Sequence, residues 1–145
     1  MPEEVKKPKF FKPSTSTKFY IDFDWWKEND SNWKVFLRGF LCETHQKYFQ
    51  DKPSDFKIDA VEPKTAEVTK MDGLLYALIY HCAKQDNFIQ ENIPVVAKVF
   101  RLLLANDNSP LSPQELEAAV GRPARTILTI LTGPQVYKGI RMIRE

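Results

Sequence analysis

Residues 112–134, SPQELEAAVGRPARTILTILTGP, leave a folding chain less freedom than any other stretch of the sequence. Ser112 followed three residues later by Glu115 is a capping box: the hydroxyl accepts the amide of the third helical residue, and the carboxylate accepts the amide of the cap. Pro113 suits the first helical position, where no amide hydrogen is needed. A short helix therefore starts at Pro113. Gly121, which takes left-handed backbone without penalty, ends it. Gly121-Arg122-Pro123 then turns the chain into a second short helix, Ala124 to Thr132, which Gly133-Pro134 closes. Leu116, Ala119 and Val120 form the inner side of the first helix, and Ile127, Leu128 and Leu131 that of the second.

Upstream, the apolar pattern changes period several times. Phe19, Ile21 and Phe23 alternate with Tyr20, Asp22 and Asp24, the period of a strand with one buried face. From Asp30–Asn32 to about Phe49, Trp33, Phe36, Leu37, Phe40, Leu41 and Tyr48 recur at helical spacing. Phe56–Val61 and Ala66–Lys70, joined through Pro63, read as a β-hairpin. Asp72 caps a helix that carries Leu75, Leu78, Ile79 and Cys82 on one face to about Gln85. Pro94 opens another to about Asn106, and QVYKGIRMI (135–143) reads as a strand bent at Gly139. The expected fold is α+β, mostly helical. It comprises a Lys/Pro/Ser/Thr-rich tail over 1–18 in which Phe10-Phe11 can dock, a strand–helix–hairpin–helix unit over 19–92, and a helical unit over 93–145.

At 145 residues and 43% hydrophobic the chain can fill one core. No apolar stretch follows the N-terminal lysines as a secretory signal would need, and the longest near-apolar run, Gly73–Tyr80, falls far short of the roughly 20 residues of a membrane helix. With only two cysteines, a cytoplasmic protein is expected. The net charge of +2 is too small for general coating of nucleic acid, so a basic surface has to be local. It is: between Gly121 and Glu145 five cations, Arg122, Arg125, Lys138, Arg141 and Arg144, face one acid.

The order of a long helix, a loop, a capped short helix, a tight turn, a second short helix and a β segment over 93–143 resembles the winged helix-turn-helix superfamily. The spacing within PLSPQELEAAVGRPARTILTILTGPQVYKGIR carries that resemblance, which covers about a third of the chain. It implies either a nucleic-acid reader, as in a transcriptional regulator, or a protein-contact adaptor built on the same unit. For the first, Arg122, Arg125, Thr126, Thr129 and Thr132 would face the groove from the second short helix, and Lys138, Arg141 and Arg144 would meet phosphates from the wing. The segment is short for a two-stranded wing, and the reading helix has no Asn, Gln or Lys.

All the cysteines and histidines fall in two clusters, Cys42-x-x-His45 and His81-Cys82. At a spacing of three, Cys42 and His45 share a helix face, and two sulfurs with two imidazoles are a zinc donor set. Against this, neighbours on a helix point about 100° apart, which sets His81 and Cys82 against a common ion. Cys82 also continues an apolar stripe, where packed thiols without metal are an ordinary outcome. Nothing around these residues supplies the orienting acid and charge-stabilising donors of a Cys-His nucleophile, so a binding module is expected and not an enzyme. Asp22 and Asp24 are read as solubilising an edge strand, and the Trp25, Trp26 and Trp33 region as core, with one of the adjacent tryptophans partly exposed.

Overall fold

The computed structural model describes residues 12–53 and 55–143. Phe10, Phe11 and Arg144 lie outside them. The chain runs β1 (Phe19–Ile21), α1 (Phe23–Asn29), α2 (Trp33–Arg38), α3 (Glu43–Tyr48), β2 (Lys57–Val61), β3 (Val68–Asp72), α4 (Gly73–Tyr80), a 3-10 turn (Cys82–Lys84), α5 (Val95–Ala105), α6 (Pro113–Val120), α7 (Ala124–Leu131) and β4 (Ile140–Met142). It is mixed α+β, with two small antiparallel sheets, β1–β4 and β2–β3, among the described residues.

The strand expected to reach Trp25 stops at Ile21. Asp22 ends it, because its carboxylate accepts the Trp25 amide at 3.0 Å and so starts α1 as an N-cap. A buried Trp26 beside a half-exposed Trp25 follows from helical spacing and not from strand alternation. Trp26 is the centre of an aromatic core, edge-on to Trp33 at 5.9 Å and to Phe36 and Phe100 at 5.7 Å. Tail residues nearest the fold lie against α6, with the Thr15 carbonyl accepting the Gln114 amide at 3.1 Å.

Two expected long helices are each broken. The helix over 32–49 divides into α2 and α3, because Gly39 ends the first and Cys42, in extended backbone, precedes the second. The helix expected to reach Gln85 stops at Tyr80, where His81 leaves helical geometry (φ −131°, ψ −63°). The hairpin forms with Lys57 opposite Asp72 and Val61 opposite Val68, two residues later in its second strand than the pattern suggested.

The C-terminal region holds α6 with its capping box, Gly121 at φ +79°, and α7 packed on both α5 and α6. A paired wing is not present among the described residues. β4 is three residues long and joins β1 in the register Phe19↔Met142, Tyr20↔Arg141, Ile21↔Ile140, while Leu111 bridges the other side of Phe19. Buried residues from both halves of the chain form one core, from Phe19 and Trp26 through Leu78 and Phe100 to Ile127 and Ile140.

Candidate metal centre and the exposed face of the last helix

The two helix breaks described above bring the Cys and His clusters together. Cys42, at the N-cap position of α3, keeps its side chain off the helix amides, and His45 stands one turn on with its Nδ1 3.3 Å from the Cys42 sulfur. Opposite, the chain leaves α4 at His81 and enters the 3-10 turn at Cys82. The objection that His81 and Cys82 diverge by a helical step is therefore removed: they are not on one helix.

Cys42 Sγ lies 3.4 Å from Cys82 Sγ and 3.6 Å from His81 Nδ1, and Cys82 Sγ lies 3.4 Å from His45 Nδ1. The four donor atoms all lie within 4.8 Å of one another. Bond lengths of about 2.3 Å to sulfur and 2.0–2.1 Å to nitrogen give a tetrahedral zinc site edges of about 3.4–3.8 Å. Four of the separations, at 3.3–3.6 Å, are close to those edges, and the four residues can hold a metal ion such as zinc. A sulfur separation of 3.4 Å is far outside the roughly 2.05 Å of a disulfide, and both thiols are free.

Cys82, 2% exposed, is packed with Leu78, Ile79 and Ala83 in the core, whereas Cys42 is half-buried and His81 exposed. Burial pushes the Cys82 thiol up to about 11. Burial, with His81 beside it, lowers the pKa of His45 and so favours the neutral imidazole, the form that ligates. A divalent ion reverses the balance at the thiols, since a coordinating thiol is deprotonated outright. No carboxylate among the described residues hydrogen-bonds either imidazole.

On the other candidate surface, Arg122, Arg125, Thr126 and Thr129 are exposed around α7, and neither arginine makes an ion pair with a described residue. The Thr129 hydroxyl donates to the Arg125 carbonyl at 3.0 Å and the Thr132 hydroxyl to the Leu128 carbonyl at 2.8 Å, leaving both able only to accept from a ligand. Lys138 and Arg141 also have partners within the fold. Lys138 Nζ sits 4.2 Å above the Phe36 ring, and Arg141 pairs with Asp22 at 3.2 Å beside the Trp25 ring. Both tie the C-terminal segment to α1 and α2.

Sequence reasoning named every donor of the metal cluster but missed what lets them converge. Gly39, followed by a cysteine not in helical pattern with its neighbours, was the available signal for the first break. No residue type marks the second. No helix among the described residues is long and apolar enough to cross a membrane. Compared with protein-family models, curated proteins and solved structures, the chain has no match.

Proposed function

We propose that this protein is a nucleic-acid-binding module stapled by one zinc ion. Cys42, His45, His81 and Cys82 hold the ion, and the exposed face of α7 meets the nucleic acid. The observation that carries the binding surface is the pair of exposed arginines, Arg122 and Arg125, neither ion-paired with a described residue, at and just before the start of the second of two short helices joined by a tight turn. The resemblance to the winged helix-turn-helix superfamily agrees with this placement, and Arg is the side chain best suited to pair with guanine or phosphate. Thr126 lies on the same exposed face. The zinc role is structural: four protein donors fill a tetrahedral site and leave no open position for a substrate. Its effect is to tie the α2–α3 bend to the end of α4.

A second use of the same face is contact with another protein. Ile130 of α7 (39% exposed) and Val136 beyond its end (41% exposed) line a cleft that also includes Trp25 and Pro134.

One preparation tests both parts. Untagged protein should contain about one equivalent of zinc. At free zinc a thousandfold above Kd the ion stabilises the fold by about 4 kcal/mol, so chelation should lower Tm by on the order of 10 °C. Because Lys138 and Arg141 are occupied within the fold, duplex binding should engage about two arginines. Log affinity should then fall with log salt at a slope near −1.8, from about −0.9 per phosphate contact. A slope of −3 or steeper would return Lys138, Arg141 and Arg144 to the interface. Undetectable binding at low salt, with a protein partner lost on Arg125→Ala, would establish the protein-contact use in its place.

A further inference from the structure

We infer that Cys42 and Cys82 form a thiol switch: a hydroperoxide converts the pair to a disulfide and expels the ion. This rests on the zinc reading of the same four residues.

Three features carry it. The sulfurs are already neighbours at 3.4 Å, so closing a disulfide requires them to approach by about 1.4 Å. Neither sulfur is carried in the middle of a rigid helix: Cys42 stands in extended backbone before α3, and Cys82 opens a 3-10 turn after the non-helical His81. Their exposure is unequal, Cys42 being half-buried and Cys82 sealed in the core, which separates the sulfur that meets the oxidant from the one that resolves it.

Coordination keeps both sulfurs as thiolates, the nucleophilic form. The Cys42 thiolate attacks the terminal hydroxyl oxygen of the hydroperoxide; the O–O bond breaks, the alkoxide (hydroxide, for hydrogen peroxide) leaves, and Cys42 becomes a sulfenic acid. The Cys82 thiolate then attacks the Cys42 sulfur. The S–S bond forms as the S–O bond breaks, and hydroxide leaves. Two sulfurs have given up two electrons to one peroxide, and the zinc ion departs with its charge unchanged because two imidazoles cannot hold it alone. A dithiol reductant with added zinc reverses the sequence.

The test uses the full chain loaded with zinc, treated with stoichiometric hydrogen peroxide. A colorimetric chelator reads released zinc, and denaturing mass spectrometry reads the polypeptide. The switch predicts about one zinc released per peroxide, a chain about 2 Da lighter than the reduced form, and recovery of both with dithiothreitol and zinc. Zinc retained under peroxide would overturn it, as would zinc released with added oxygen mass and no disulfide. A chain that binds no zinc before any oxidant is added removes the zinc reading itself, an outcome separate from either of those. Cys42→Ala provides the control for the resolving step: its chain must show no loss of 2 Da.

Discussion

At Gly139 the backbone passes so close to α1 that even a Cβ would crowd its neighbours. A Cβ there would lie 3.0 Å from the Asp22 carbonyl oxygen and 3.1 Å from the Trp26 Cβ, and the residue takes φ +83°. Its carbonyl accepts the Asp22 amide at 2.7 Å, so the close approach also satisfies a backbone group. Gly139→Ala combines left-handed strain with overpacking and should cost about 2–4 kcal/mol. Urea unfolding checks this; a loss below 1 kcal/mol would mean that the segment moves away freely. The sequence marks Gly139 as a bend, yet its reason, the neighbour across the core, is separated from it by more than a hundred residues. The same limit applied at His81-Cys82. Identity and spacing named the donors, but their convergence depends on one residue leaving helical geometry, and neither His nor Cys is a helix breaker.

Among the elements, those with local stop and start signals were legible and those bounded by tertiary packing were not. Pro94, the Ser112–Glu115 box, Gly121 and Gly133 placed α5, α6 and α7 to within a residue or so. The bend between α2 and α3 escaped because Leu37 and Leu41 are both buried across it, and an apolar period reports burial, not an unbroken backbone. The capping box offers a measurable consequence. Its Glu115 carboxyl is held below the ordinary carboxylate range first by the Ser112 amide and then by Lys18, at 2.8 and 2.9 Å. A carboxyl depressed on folding contributes stability that is complete above its unfolded pKa of about 4.3 and disappears as pH falls through the lower folded value. Glu115→Gln should therefore lower Tm at pH 7, and the difference from the parent protein should close below about pH 4. A gap that stays constant with pH would show that the side chain acts through packing and not charge.

For the molecule as a whole, the pairing of β1 with β4 matters most. The Ile143 amide donates to the Lys18 carbonyl at 2.8 Å, and the Asn108 side chain bonds both the amide and the carbonyl of Ile21 at 2.9 Å, in the manner of a strand partner. The C-terminal α5–α7 region thus takes its strand partner from the opposite end of the described chain. Patterning showed both segments as strands but not their partnership, since alternation carries no information about register with a distant strand.

That pairing makes the molecule a closed circuit, and a circuit can be opened elsewhere. Joining residue 143 to residue 18 by about five residues, and cutting the hairpin turn between residues 62 and 67, would give a circular permutant that keeps the native contacts other than those of residues 12–17 on α6 and of the cut turn. Pairing β1 with β4 now closes a loop of over a hundred residues. In the permutant it would close only the short link, a loop-entropy difference of up to about 3 kcal/mol. If the pairing forms before the folding barrier, refolding in stopped flow should be markedly faster. An unchanged rate would place the clasp among the last contacts to form, where it would govern how slowly the protein comes apart.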